Sequence, residues 1–224
     1  MNSSGKRIGL IHATLNSLSP MSEAVRRYAP DLATLNFLDE GLITDLNACG
    51  KVTRTMLRRF IHLLEKADEA AVEGVLLSCS SFTPYVSLFR ELFNFPIISV
   101  DYSMLEQAVE RGSHIGVIAT VATATPTTVQ ILRDIAVQKG KDIHLETSTL
   151  PDAFEALQAG DIERHNSLIQ EHIKLLSKTC EVIVLAQISM ARALDHYDIT
   201  DKQVLTSPES SIQALKQAMS KLEQ

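Results

Sequence analysis

The sequence contains few cysteines: Cys49, Cys79 and Cys180 are its three. Three thiols this widely spaced do not form the disulfide framework of a small secreted domain. No CxxC or HExxH spacing occurs, so we expect no metal site. No GxGxxG or GxxxxGK[ST] motif follows an apolar run, which disfavours a phosphate- or nucleotide-binding module.

Long hydrophobic runs and basic clusters are also missing. The longest apolar runs have the length of a buried strand, far below the roughly 20 residues of a membrane helix. Residues 1–7 are polar and lack the apolar core of a signal peptide. The net charge of −6 disfavours nucleic-acid binding, because phosphate recognition needs clustered Lys and Arg. We therefore expect a cytoplasmic protein with neither membrane nor nucleic acid as a partner.

Short apolar runs alternate with amphipathic stretches along the whole chain. Six runs are continuous and rich in Ile, Val and Leu, which is typical of parallel strands covered on both faces: Ile8–Ile11, Gly74–Leu77, Pro96–Val100, Ile115–Ala119, Val182–Leu185 and Gln203–Leu205. Two more polar runs, Ala33–Phe37 and Ile143–Glu146, are predicted near sheet edges. The predicted helices are Pro20–Tyr28, Lys51–Ala71, Pro84–Phe93, Tyr102–Arg111, Pro126–Lys139, Pro151–Ala159, Asp161–Lys178, Ser189–Tyr197 and Pro208–Leu222. This alternation predicts βαβ units and an α/β fold with mostly parallel sheets.

An internal repeat divides the chain into two similar halves. Gly9-Leu-Ile is similar to Gly116-Val-Ile, and Ile97-Ile98-Ser99 is similar to Val204-Leu205-Thr206, both at an offset of 107 residues. Leu76-Leu77-Ser78-Cys79 is similar to Val184-Leu185-Ala186-Gln187 at an offset of 108. Three pairs in the same order at nearly one offset indicate a duplication. We predict a first half of residues 1–100 plus 208–224, with the last helix crossing back, and a second half of residues 101–207.

Ligands of parallel sheets bind at the carboxyl ends of the strands, where helix N-termini point inward. The loops at these ends are small, polar and rich in hydroxyls, and they contain no Asp, Glu, Lys or Arg. Backbone N–H groups and hydroxyls of this kind suit a carboxylate or phosphate. The residues predicted to bind substrate are Thr14, Ser80, Ser81, Thr120, Thr123, Gln187 and Ser189.

Cys79 and His12 are the candidate catalytic residues. Cys79 ends an apolar strand among serines, just before a helix that Thr83-Pro84 predicts to begin at Pro84. A helix N-terminus favours the thiolate and so lowers the pKa of a nearby thiol. His12 follows the first strand and could hydrogen-bond substrate or adjust Cys79. The alternative for both is a packing role, which we also assign to Cys49 and Cys180.

The sequence resembles the aspartate/glutamate/hydantoin racemase superfamily over most of its length. The resemblance rests on motifs in a fixed order: Gly9-Leu-Ile-His12-Ala-Thr14, Asp39-Glu40-Gly41-Leu42, Leu77-Ser78-Cys79-Ser80-Ser81, Gly116-Val-Ile-Ala-Thr120 with Thr123, Val184-Leu185-Ala186-Gln187 and Leu205-Thr206-Ser207-Pro208. It implies two Rossmann-like halves related by a pseudo-twofold axis, with a ligand site between them that needs no cofactor. It is also compatible with a homo-oligomer, since related proteins commonly form dimers or larger assemblies.

Racemases of this superfamily use two thiols, one from each half, on opposite faces of the substrate Cα. The resemblance places the first thiol at Cys79, but the repeat places Gln187 where the second belongs. A glutamine side chain cannot act as a general acid or base. Cys180 lies before the strand, about 20 Å from its far end at about 3.3 Å per residue, and cannot replace it.

The resemblance therefore implies a cofactor-independent enzyme that transfers a proton at a carbon next to a carboxylate, with Cys79 as acid/base. The substrate is an amino acid or a related small acid. Two alternatives stay open. One is a one-thiol decarboxylase of malonate type, and the other is a non-catalytic protein that binds a carboxylate or has a regulatory role.

Overall fold

A computed structural model describes residues 6–195, 197 and 203–222. The chain divides into two compact units, Met1–Val100 with Pro208–Gln224 and Asp101–Ser207. Each unit contains a four-stranded parallel sheet flanked by helices. The α/β fold expected from the alternation of apolar runs and amphipathic stretches is confirmed.

The first unit has the strand order β2-β1-β3-β4. Its strands are β1 (Arg7–His12), β2 (Ala33–Leu38), β3 (Gly74–Leu77) and β4 (Ile97–Ser99). Its helices are α1 (Leu18–Tyr28), α2 (Gly41–Cys49), α3 (Arg54–Glu69), α4 (Val86–Leu92) and, from the end of the chain, α9 (Ser207–Leu222). Short 3-10 helices at Leu15–Ser17 and Ser80–Tyr85 follow the two central strands.

The second unit repeats this order as β6-β5-β7-β8. Its strands are β5 (His114–Ala119), β6 (His144–Thr149), β7 (Val182–Leu185) and β8 (Gln203–Leu205). Its helices are α5 (Tyr102–Arg111), α6 (Ala124–Lys139), α7 (Pro151–Gln158) and α8 (Ile162–Leu176), and a 3-10 helix at Ile188–Leu194 follows β7. The repeat seen in the sequence therefore corresponds to a repeat of strand order.

Burial explains which apolar runs form the centre of each sheet. Every residue of β3 and of β7 is buried, as expected for parallel strands covered on both faces. In the second unit, Val117 and Val184 pack into one core cluster and Ile118 and Leu185 into another, because side chains alternate between the faces of a sheet. The more polar β2 and β6 are edge strands, which confirms the positions predicted for them.

Helix α3 anchors the segment that follows β3. Its buried residues Met56, Phe60, Leu64 and Ala67 recur at helical spacing and form one apolar face. Phe60 stacks on Phe82 of the 3-10 helix, with ring centroids 4.3 Å apart. Because Phe82 follows β3 closely in sequence, this stack fixes the turn at the carboxyl end of that strand.

Two predicted helix starts are corrected by the structure. The segment from Ser80 to Tyr85 is a 3-10 helix with Pro84 inside it, so the α-helix begins at Val86 rather than at Pro84. The segment after β7 is a 3-10 helix at Ile188–Leu194, not an α-helix over Ser189–Tyr197, and His196 of that range lies outside the described residues. Both segments are short turns whose buried apolar side chains pack on the core, so tertiary packing decides their geometry.

Across residues 6–195, 197 and 203–222, no helix has both the length and the apolar character needed to cross a membrane.

Helix α9 packs on β3 at a point where the two units differ. A Cβ atom on Gly74 would lie 2.9 Å from Leu215 Cδ1 and 3.2 Å from Met219 Cγ. The repeat places Val182 at the equivalent position of the second unit. The missing side chain of Gly74 therefore makes room for α9.

We expect Gly74→Val to lower the free energy of unfolding by about 1–3 kcal/mol, because the new methyl groups overpack the contact with α9. The measurement is denaturant unfolding followed by circular dichroism. The double variant Gly74→Val/Leu215→Ala should lose less stability than the sum of the two single variants, since Leu215 is the residue the valine would meet. Additive losses would mean that the substitution acts somewhere other than at α9.

Candidate active site

Cys79 lies at the carboxyl end of the central strand β3. Its backbone is extended, with φ −118° and ψ 108°, and it caps the 3-10 helix Ser80–Tyr85. Its carbonyl accepts a hydrogen bond from the Phe82 N–H at 3.1 Å. The side chain is half-buried and packs against the core cluster that contains Phe60 and Phe82. The Phe82 hydrogen bond and the core contact thus hold Cys79 in place, and the residue as a whole is half-buried.

Ser78 ties the Cys79 segment to the end of β1. Its backbone N–H donates to the Ile11 carbonyl at 3.0 Å, and its hydroxyl donates to the same carbonyl at 2.9 Å. The hydroxyl also lies 3.0 Å from Nδ1 of His12. The residue before Cys79 is therefore held by three contacts to β1.

His12 is fully buried at the end of β1. Its Nε2 lies 3.0 Å from Asn36 Oδ1, and its Nδ1 lies 2.8 Å from the Ser17 hydroxyl. Because the Asn36 oxygen is an acceptor, Nε2 carries the proton in this arrangement, and the unprotonated Nδ1 lies within hydrogen-bond distance of the Ser17 and Ser78 hydroxyls. Burial lowers the pKa of His12, and the hydrogen bond to Asn36 opposes part of that effect. The imidazole is therefore neutral near neutral pH.

The other predicted residues of the first unit lie in the same loops. The Thr14 hydroxyl accepts a hydrogen bond from the Asn16 N–H at 3.3 Å, and the Thr14 carbonyl accepts one from the Ser17 hydroxyl at 2.9 Å. Ser80 and Ser81 open the 3-10 helix and are half-buried. Asn16 Nδ2 is buried and has no hydrogen-bond acceptor among the residues that the structure describes.

In the second unit, the structure joins Thr120 and Gln187 directly. Gln187 Oε1 accepts hydrogen bonds from the Thr120 N–H at 2.7 Å and from the Thr120 hydroxyl at 3.3 Å. Gln187 Nε2 is buried and has no acceptor within the described part of the chain. The two residues lie at the carboxyl ends of the paired strands β5 and β7.

Thr123 and Ser189 lie near the same edge of that sheet. Thr123 caps α6, and its Oγ1 is buried with no partner among the described residues. Ser189 is buried within the 3-10 helix that follows Gln187. These loops contain the four residues predicted for the second unit, and a hydrogen bond that the sequence does not reveal joins Thr120 to Gln187.

Cys79 and Gln187 occupy equivalent positions in the two units. Each lies two residues after the end of the most buried strand of its sheet, and each caps a 3-10 helix from an extended backbone. The pairing of Leu77 with Ile11 in one unit and of Leu185 with Ile118 in the other gives the same strand register. The alignment of Cys79 with Gln187 therefore agrees with the geometry of each unit.

The other two cysteines do not lie at the carboxyl end of a strand. Cys49 is exposed at the end of α2, and its thiol donates to the Lys51 carbonyl. Cys180 is fully buried just before β7 and packs against Gly116 of β5. A Cβ atom added to Gly116 would lie 3.2 Å from the Cys180 sulfur.

Sequence reasoning missed the partners of His12. Ser17 and Ser78 were visible as hydroxyls near strand ends, but nothing marked them as contacts of one buried ring. Asn36 carries a weak signal, because it is a polar residue between Leu35 and Phe37 in strand β2, where it pairs with Leu10. A buried histidine needs hydrogen-bond partners, so a polar residue in the strand beside β1 is a candidate partner of His12.

No group of three or more His, Cys, Asp or Glu side chains within the described ranges lies close enough to hold a metal ion.

Comparison with known proteins identifies relatives of similar fold. A curated glutamate racemase of Rippkaea orientalis is 28% identical over 118 residues, which cover 52% of this chain and 41% of that protein. The match thus spans less than half of the relative's length. The structure of the Picrophilus torridus aspartate racemase matches with a TM-score of 0.74 and 12% identity, over 96% of this chain and 95% of that one.

A glutamate racemase of Francisella tularensis, solved with D-glutamate, matches with a TM-score of 0.69 and 14% identity, over 98% of this chain and 82% of that one. At these identities, the structural matches show the shared fold. The family described as Asp/Glu/Hydantoin racemase matches residues 8–215, which is most of the sequence. This chain therefore belongs to the Asp/Glu/hydantoin racemase family.

Proposed function

We propose that this protein is a cofactor-independent enzyme that transfers a proton at a carbon next to a carboxylate group, with Cys79 as its acid/base. The placement of Cys79 carries the proposal: the residue is half-buried and follows the carboxyl end of the central strand β3 in a racemase-family fold. The substrate is an amino acid or a related small acid. The D-glutamate bound to the Francisella tularensis relative supports a ligand of this class.

The chemistry follows from the thiol. The Cys79 thiolate takes the proton from the substrate carbon, the C–H electron pair moves into the neighbouring carboxylate, and an enediolate forms. The thiol then returns a proton to the same carbon. General acid–base catalysis by one positioned group contributes about 10²- to 10⁴-fold to the rate.

His12 acts in this proposal as a positioning residue. The His12 ring is fully buried and contacts the hydroxyl of Ser78, the residue next to Cys79. It therefore acts on the position of Cys79 through Ser78. A neutral imidazole held by Ser17 and Asn36 keeps the end of β1 and the Cys79 segment in one arrangement. The proposed ligand-binding residues of the first unit are Thr14, Ser80 and Ser81. Those of the second unit are Thr120, Thr123 and Ser189.

A second candidate function is decarboxylation of a malonate-type substrate. Gln187 favours it, because a glutamine at the position equivalent to Cys79 supplies no second acid or base. In that reaction the bond to one carboxylate breaks, carbon dioxide leaves, and the electron pair forms an enediolate. The Cys79 thiol protonates this enediolate, and water restores the thiol proton.

The decisive experiment offers amino acids, hydantoins and malonates to the protein in deuterated water. We expect deuterium at the substrate carbon, or release of carbon dioxide from a malonate, measured by NMR and mass spectrometry. Cys79→Ala should reduce the rate at least about 100-fold, since the acid/base group is lost.

Cys49→Ala is the matched control, because it removes an exposed thiol outside the strand-end loops and should keep full activity. Deuterium exchange supports the leading proposal, and carbon dioxide release supports the decarboxylase. Ligand binding with no chemistry across the panel would refute both and leave a binding or regulatory protein.

The buried histidines predict a fall in stability at acidic pH. Burial lowers the pKa of both His12 and His165. As the pH falls, these two imidazoles therefore bind protons more readily in the unfolded chain than in the folded chain. Their contribution to stability is complete above the unfolded histidine pKa of about 6.5 and is lost progressively below it. Denaturant unfolding at a series of pH values measures this slope.

We expect His12→Gln to flatten the dependence of stability on pH below that value, because it removes one of the two fully buried imidazole rings among the described residues. His62→Gln is the matched control, since His62 is a surface residue paired with Glu65. An unchanged slope in His12→Gln would contradict the neutral, buried state of that ring.

A further inference from the structure

The side-chain amide of Gln187 has a fixed orientation. The Thr120 backbone N–H can only donate, so the Gln187 atom 2.7 Å from it must be the carbonyl oxygen. The Thr120 hydroxyl donates to the same oxygen at 3.3 Å and occupies its second lone pair. Rotating the amide by half a turn would place its NH2 group against the Thr120 N–H. The NH2 group therefore points away from Thr120 in a defined direction.

This NH2 group has two protons to donate and no acceptor among the described residues, although the nitrogen is buried. Buried polar groups nearly always have partners, because leaving one without a hydrogen bond costs free energy. A buried donor held in place without an acceptor is typical of a site that a ligand completes. The acceptor has to come from outside this chain's described residues.

The surroundings of Gln187 favour an anionic oxygen as that acceptor. Thr123, the N-cap residue of α6, lies four residues after the end of β5, and its buried Oγ1 is a second polar atom with no partner in the described part of the chain. The segments 120–125 and 186–190 contain no Asp or Glu that could compete as an acceptor or repel an anion. Amide and hydroxyl donors of this kind bind carboxylates.

We propose that Gln187 is a ligand-binding donor that hydrogen-bonds a carboxylate oxygen of the substrate, with Thr120 as its positioning residue. Gln187 then has a binding role at the position that is equivalent to Cys79 in the first unit. This inference takes its carboxylate substrate from the proposed function, but it does not require proton transfer at Cys79.

The test observes the Gln187 amide directly. In ¹⁵N-labelled protein, the side-chain resonances of Gln187 are assigned by their loss in Gln187→Glu. Titration with aspartate, glutamate and malonate should shift these resonances saturably for at least one ligand. Malonamide, the neutral counterpart of malonate, should shift them far less, because an amide oxygen is a weaker acceptor than a carboxylate.

The Gln170 amide is an internal control. Its Nε2 already donates to the Ala193 carbonyl at 2.8 Å, so its resonances should not move on titration. Gln187→Leu should weaken binding of the same carboxylate at least about tenfold, as expected for one hydrogen bond to a charged group. Gln130→Leu changes an exposed glutamine of α6 and should leave binding unchanged.

Gln187→Glu keeps an oxygen for the Thr120 N–H, so it preserves this contact if Gln187→Leu fails to fold. Its negative charge should abolish carboxylate binding. The inference is wrong if the Gln187 resonances stay still for every carboxylate, or if both Gln187 variants bind as tightly as the unchanged protein.

The outcomes also separate this inference from the proposed function. Binding through Gln187 without exchange or decarboxylation keeps the inference and refutes the enzyme. Cys79-dependent chemistry without a response of the Gln187 resonances keeps the enzyme and refutes the inference.

Discussion

In each unit, two central parallel strands end side by side, with Ile11 paired to Leu77 and Ile118 to Leu185. Parallel pairing brings together residues that are far apart in sequence, because both strands run to the same edge of the sheet. The contact between Ser78 and β1, and the contact between Gln187 and Thr120, each depend on this register. A shift by one residue would turn those side chains to the other face.

The cost of burying polar groups explains the rest of the loops. His12 is tolerated in a fully buried position because Ser17, Ser78 and Asn36 surround both ring nitrogens. The Gln187 side-chain oxygen has hydrogen-bond partners, whereas its nitrogen has none among the described residues. The first arrangement is complete without a ligand and so suits a supporting role. The second is incomplete, and it therefore points to a molecule that binds there.

The two units share a strand order, but equivalent positions carry different residues where the segments packed against them differ. Gly74 lies under α9 and cannot carry the side chain that Val182 carries at the equivalent position, because Leu215 and Met219 occupy that space. Cys79 and Gln187 also occupy equivalent positions, with a thiol in one and a side-chain amide in the other. The backbone is extended at both positions, so the two strand ends differ mainly in the side chains that they carry.

The sequence by itself determined the α/β alternation, the repeat, the edge positions of β2 and β6, and the alignment of Cys79 with Gln187. These follow from strand-length apolar runs and a constant offset, which are local or one-dimensional properties. Only the tertiary structure decided that the turn after β3 is a 3-10 helix, since the Phe60–Phe82 stack outweighs the helix start that Thr83-Pro84 suggests. The full burial of His12 and the orientation of the Gln187 amide also depend on contacts between distant segments, and such contacts leave no local pattern in the chain.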